Sequence, residues 1–370
     1  MKNNLINSSV TPYSIPIFFL SLFLLVLMTC NSCQAVKIES SERQLENNNK
    51  NLNFESFLNI NLENWTIDST SIYIASKDSF DFNKLAKHYN RHILFLPLSD
   101  FLNTQAKDLV PIFKESGVDS VLKQTYIYNS YKINMEVYKC KNVFSARTLF
   151  SILKHGSTNT FTQGNISCED DLGMWLCLDN FFIIIKTSNI EDETEKKAVV
   201  NLASQISKLT VSQTDSPYIL GRLPSFGKID GSEKLINGEE SARYIYKIPL
   251  FDDLKLANFL TGAVCDYRME EPYKERLKVM LLKFKDHDSA SVVFDEYVAS
   301  LDHSDSIKKI RQKIDHEYEM SSPSTDKSYP QIYKIQNRFM LCQTGDKYFL
   351  VIKNARKPES LLELARSILY

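Results

Sequence analysis

His88 and His92, in the stretch HYNRH, stand four residues apart, the spacing that puts two imidazoles on one face of a helix as half of a metal site. No glutamate follows in the HExxH manner and no third ligand is spaced to join them, so surface histidines are the plainer reading. CEDD, from Cys168 to Asp171, offers three adjacent carboxylates. A calcium loop takes its oxygens from alternating positions around a turn glycine, which makes this a solvated acidic loop instead. The runs RMEEPYKER (Arg268 to Arg276) and KKIRQK (Lys308 to Lys313) read as exposed faces of helices or their approaches, laced by i,i+4 pairs. There is no GxSxG elbow, no Walker loop and no glycine-rich dinucleotide turn, and 10 glycines in 370 residues leave little material for phosphate cradles. A nucleophilic triad scattered along the chain would leave no local mark, and nothing nominates one. No catalytic, metal-binding or cofactor-binding residue is assigned, and no cofactor is expected.

The cysteines divide by place. Cys140, Cys168, Cys177, Cys265 and Cys342 each sit in or beside an apolar stretch, where a thiol behaves as a small hydrophobe. Their odd number leaves at least one unpaired in an oxidising compartment, and only Cys168 and Cys177 are close in sequence. The expectation is buried thiols. Cys30 and Cys33 have a different setting, just after the uncharged run Ile15 to Met28. That run is shorter than the roughly 20 apolar residues of a membrane span and suits the h-region of an export signal. LMTCNSCQAV, which straddles its end, resembles the lipobox of bacterial lipoproteins, where a cysteine thiol is lipidated and becomes the new N-terminus. Cys30 has Leu27 in the aliphatic place but Thr29 before it; Cys33 has an acceptable Ser32 but Cys30 where the aliphatic belongs. Cleavage after Ala35 without lipid is the alternative. Both readings export the chain.

The elements around these residues repeat. Residues 1–35 are the signal, and 36–53, with the asparagine run of KIESSERQLENNNKNLN, are too polar to bury a core and form a tether. In YKINMEVYKC, Ile133, Met135 and Val137 alternate with polar residues as in a half-buried strand. A helix follows near Ser145, with Ala146, Leu149, Phe150 and Leu153 on one face. GMWLCLDNFFIIIKTS then reads as a hairpin turning at Asp179-Asn180, and a helix runs from about Asp192 to Leu209. The second half gives the same series: the strand RLKVMLLKFKD, a helix capped by Asp288 with the stripe Ala290, Val293, Phe294 and Tyr297, a hairpin in RFMLCQTGDKYFLVIK, and a helix from Pro358 to Leu369. WLC (Trp175 to Cys177) aligns with MLC (Met340 to Cys342), IIIK with LVIK, and NLASQI with ELARSI. The pattern predicts an internal duplication into halves 54–214 and 215–370. Each half is expected to be α+β, an antiparallel sheet with its helices on one face, ferredoxin-like in spirit.

Lysine and arginine total 44 against 45 acidic residues, a net charge of −1, so no whole-molecule field steers the chain onto nucleic acid and polyanion binding is disfavoured. The 22 Phe and 18 Tyr lie mostly at core periodicity. The stretch from Gly117 to Leu153, with its strand NMEVYKC and helix ARTLFSIL, resembles an uncharacterised family of exported bacterial proteins known only as a domain of unknown function, whose members carry V-E-V-Y and A-F-G-I-F segments. LPSFGKIDGSEKLINGEESA (Leu223 to Ala242) is similar to that family's L-P-x-x-G link, and the likeness runs in order over most of residues 60–370. Where the family has Asn-Gly-Gly-Ala this chain reads Asn103-Thr104-Gln105-Ala106, without the glycines. The resemblance implies export and the duplicated α+β build, and it supplies no reaction. The functional expectation is an envelope protein anchored to the membrane by an N-terminal lipid, binding a protein, glycan or small-molecule partner without catalysis. The other expectation is an enzyme with its site in the cleft between the halves.

Overall fold

The computed structural model describes residues 52, 54–68, 70–77, 93–105, 107–154, 158–160, 166–170, 173–209, 218–246, 259–270, 273–304, 307–310 and 330–369. The segments expected as signal and, apart from Leu52, as tether lie outside them, as do His88 and His92. The first half runs α1 (Phe54–Leu58), β1 (Thr66–Ile67), β2 (Ile72–Ser76), β3 (Ile93–Pro97), α2 (Leu98–Gln105), α3 (Val110–Glu115), β4 (Ser120–Tyr128), β5 (Tyr131–Lys139), α4 (Val143–Leu153), β6 (Thr158–Thr160), β7 (Ile166–Asp170), β8 (Gly173–Leu178), β9 (Phe181–Thr187) and α5 (Glu193–Ser207). The second continues with α6 (Tyr218–Gly221), β10 (Lys234–Ile236), α7 (Glu239–Tyr246), β11 (Thr261–Met269), β12 (Glu275–Lys283), α8 (His287–Asp302), β13 (Ile307–Ile310), β14 (Gln331–Ile335), β15 (Arg338–Gly345), β16 (Tyr348–Ala355) and α9 (Pro358–Leu369). The fold is α+β.

Local chemistry explains the breaks. Asn142 leaves the extended backbone of β5 and accepts a bond from Ser145 N at 2.8 Å, closing the first turn of α4. Asp286 does the same for α8, accepting from Ser289 N at 2.9 Å. The expected cap, Asp288, stands two positions too late and lies within the helix; a cap needs extended backbone, which Asp286 has. The hairpins turn where a residue tolerates positive φ: Asn129 between β4 and β5, Asp179 between β8 and β9, Asp346 between β15 and β16.

The sheets keep to opposite sides of residue 214. The first has nine strands in the order β3-β2-β4-β5-β9-β8-β7-β6, with β1 paired to β4, and the second seven in the order β10-β11-β12-β16-β15-β14-β13. Within them the series β4-β5-β9-β8-β7-β6 and β11-β12-β16-β15-β14-β13 share one order, with α4 and α8 after the second strand and α5 and α9 after the last. Registers agree too: Lys139 pairs with Ser120 and Phe181, and Lys283 with Thr261 and Tyr348.

Two expectations need correction. The helices lie on both faces of each sheet: α4 packs against Tyr138, Trp175 and Phe182, whereas α5 contacts β5, β8 and β9 from the other side. In the second sheet α8 covers Met280, Cys342 and Val351, and α9 covers Val279, Leu341 and Leu350. The sequence cause is visible in Gly173–Leu178 and Phe181–Ile185, buried at every position, because uninterrupted apolar runs need cover on both sides. The second correction is a slip of two residues. Gly173 and Met340 pair with the corresponding Lys186 and Lys353, so Trp175 matches Cys342, while Cys177 matches Thr344. An even slip keeps every side chain on its face.

Phe54–Tyr370 form one compact unit. The proline- and glycine-bearing link between the halves is built into it, with Ile219 and Leu223 buried in the second core. Hydrogen bonds and packing among the described residues fasten the halves, Asn237 Nδ2 donating to Glu115 O and Ile245 packing on the first core among them. The Glu115 carboxylate accepts from Glu240 N (2.6 Å) and Ser241 N (3.1 Å) at the start of α7, Ser151 Oγ accepts from Leu235 N (2.8 Å), and Phe144 of α4 packs against the second core.

Candidate anion-binding groove

On the α8 face of the second sheet, Val264, Met280 and Val351 belong to the core. Two residues further along each strand the same face turns ionic, as Asp266, Lys278 and Lys353 stand side by side on β11, β12 and β16. Arg268 and Arg276 are directly paired in the next row. Like charges directly opposed on one face are unfavourable in a sheet without a counter-charge.

Beyond Lys278 and Lys353 the paired register of β12 and β16 ends. Glu275, almost fully buried, accepts from Arg356 N and Ser360 Oγ and so is spent on tying the start of α9 to β12. Asn354 takes a left-handed backbone (φ 78°) and its carbonyl accepts from Arg338 Nη1 at 3.4 Å. The notch left between the strands is a groove of about 1070 Å³. Its cations are Arg268, Lys274, Arg276, Lys278, Arg338 and Arg356. Its carboxylates are Asp266, Glu270 and Glu275. Asp266 is already engaged by Arg276 (2.7 Å) and lies 3.9 Å from Lys278. The surplus is positive, and planar guanidinium groups at the mouth suit bidentate binding of carboxylate or phosphate.

A second recess of about 430 Å³ shares Asp266, Arg276 and Lys278 with the groove and extends to the seam, where Ile152 of the first half meets Lys234, Tyr244 and Ile245 of the second. Burial holds the Lys234 ammonium down at about 8, with nearby Lys154 adding to the effect. Lys353 is likewise brought to about 8 by burial and then by Lys278; its ammonium lies 4.2 Å from the centre of the Tyr246 ring and donates to the Tyr246 carbonyl.

The first half has no such row. Matched by register, Thr125, Asn134 and Lys186 hold the places of Asp266, Lys278 and Lys353. Thr125 Oγ1 donates to Asn134 Oδ1 at 2.8 Å, a neutral pair that is complete in itself.

The residues singled out by sequence fall elsewhere. His88, His92, Cys30 and Cys33 are outside the described residues. Cys168, Glu169 and Asp170 lie on β7, with Asp171 undescribed, and among the described residues no three His, Cys, Asp or Glu side chains come together as ion ligands. The five cysteines among the described residues are all buried thiols; burial pushes Cys177 up to about 12 and Cys265 to about 11, the reverse of what a nucleophile needs. The charge run RMEEPYKER, read as an exposed helical face, spans the ends of β11 and β12 and the turn between them, and it supplies Arg268, Lys274 and Arg276 to the groove. The missed signal was its position between two alternating apolar segments, which marks a hairpin tip. No family model, curated protein or solved structure matches the chain.

Proposed function

We propose that the chain is an exported envelope protein, tethered by lipid at Cys30 or Cys33, that binds an anionic ligand in the groove of its second half without chemically altering it. The contrast between the two matched rows carries this reading. Thr125 and Asn134 satisfy each other in the first sheet, whereas Asp266, Lys278, Lys353, Arg268 and Arg276 crowd charge into the same places of the second. The shared strand order, registers and capped helices support descent of both halves from one duplicated unit, of which one copy kept a less charged scaffold surface. The h-region, the cysteines after it and the polar tether support export and anchoring. A net charge near zero is compatible with the groove, because its surplus is local and answers a compact anion rather than a long polyanion.

The rival reading, an enzyme with its site between the halves, asks for a poised acid or base there. Burial does raise the Glu115 carboxyl at the seam, yet both its oxygens are committed to the backbone of α7. Calorimetric titration of the full chain, held in detergent, with inorganic phosphate and with citrate tests the binding reading. Saturable binding of at least one is expected, with Arg338→Gln and Arg356→Gln each weakening it about tenfold, the scale of one lost charge-assisted bond. Absence of binding by both anions contradicts the reading.

A further inference from the structure

We propose that the recess at the seam of the two halves is a distinct subsite for a single compact oxyanion group, phosphate or carboxylate, held by Lys234 together with Lys278 and Arg276. This deepens the groove reading and rests on it. Lys234 projects from β10 on the same face as Val264, its register partner, and therefore stands diagonally across from Asp266. Cross-strand diagonals lie within reach of a long side chain. Asp266, the nearest carboxylate on that face, is taken by Arg276, and among the described residues none pairs with Lys234. Glu233, the residue before β10, is paired with Lys228 at 3.0 Å, and Asp230 lines the recess as a second carboxylate beside Asp266.

The charged and titratable groups around Lys234 are Lys154 at the end of α4, Cys168 on β7, the neighbouring Glu233, Asp230, Tyr244, Asp266 on β11, Arg276 and Lys278 on β12, and Lys353 on β16 beyond it. The recess itself is lined by three cations, Lys234, Arg276 and Lys278, against two carboxylates, Asp230 and Asp266. Withdrawing Lys234 from water beside that surplus of positive charge is costly, and an oxyanion seated there relieves the cost. The size fits a compact group: Ile152, Tyr244 and Ile245 line the recess beside its charges, and the volume of about 430 Å³ is well under half that of the groove. Because Ile152 comes from the first half and Lys234 from the second, an anion in the recess touches both. The ligand thus has one anionic group for the guanidinium notch and a second for the lysine recess, joined where Asp266, Arg276 and Lys278 border both.

The sign of the pH effect follows. An oxyanion binds the protonated ammonium, so affinity is full below about 8 and falls as pH rises through the value of Lys234. Sulfate, which keeps its charge over this range, is the probe for that arm; inorganic phosphate and acetate separate the two oxyanion sources. With the full chain, Lys234→Gln is expected to weaken phosphate or acetate binding about tenfold and Lys234→Arg to hold it within about threefold. Sulfate affinity of the unaltered chain should drop between about pH 7 and pH 9, and that of Lys234→Arg should stay level because a guanidinium keeps its proton there. If Lys234→Gln, shown folded by its circular dichroism, binds as tightly as the parent while Arg338→Gln still weakens binding, the recess is not a subsite and the groove reading survives. If no anion binds at all, both fall together. Should Lys234→Gln not fold, the flat pH response of Lys234→Arg decides alone, and a response as steep as the parent's overturns the proposal.

Discussion

Single residues carry the internal symmetry. Phe150 and Phe294 each stand eight places after a helix cap, Asn142 in one half and Asp286 in the other, and both are buried, at 3% and 4% exposure. Phe294 meets the Phe349 ring edge-on at 6.3 Å, and Phe150 packs in the core that holds Trp175 and Phe182. Phe150→Ala and Phe294→Ala are each expected to cost about 3–5 kcal/mol of stability, the transfer loss of the ring plus the cavity left behind. Chemical denaturation reads this as a shift in midpoint at unchanged slope. A loss below about 1 kcal/mol at either site would show that the matched positions do not bear matched packing. The lysines behave in the opposite way. Lys234 and Lys353 are held near 8 by burial, so as charged groups at neutral pH they detract from stability. On the proposal, Lys234 is a residue that costs stability and serves binding instead of folding.

At the scale of elements, much was legible because local rules acted alone. Tyr131–Lys139 is a strand as its alternation of Ile133, Met135 and Val137 with polar residues suggests, although Glu136 and Tyr138 are buried too; α9 begins at the proline expected for a first turn, and the stripes of α4 and α8 place their apolar residues on the buried side. What escaped depended on partners distant in sequence. One-sided helix cover was inferred from the chain order, yet the side on which a helix docks is set by which faces are apolar, and the runs around Trp175 and Ile183 are apolar on both. The slip between WLC and MLC is a matter of distance from the turn: Cys177 stands one residue before Leu178, which closes its hairpin with Phe181, and Cys342 stands three before Gly345, which closes its hairpin with Tyr348, a difference that identity of letters conceals. The groove was unreadable for a related reason. RMEEPYKER shows its charge plainly, but Arg338 and Arg356 arrive from β15 and from the end of β16, and only the separation of β12 from β16 brings the three segments together.

For the whole molecule, the proposal joins an anchor to a binding surface. Mass spectrometry of the mature N-terminus is expected to find a diacylglyceryl thioether on Cys30 or Cys33; a free N-terminal Val36 would remove the lipid and leave export in place. The binding surface is the central claim, and its asymmetry makes it testable at specific side chains. The decisive measurement is nuclear magnetic resonance of the arginine and lysine side chains of the full chain during titration with inorganic phosphate. The account predicts saturable shifts at Arg268, Arg276, Arg338 and Arg356 with one common affinity, and none at Lys132 or Lys186, which hold the corresponding places in the first sheet. Shifts that never saturate, or that appear equally in both halves, would contradict it.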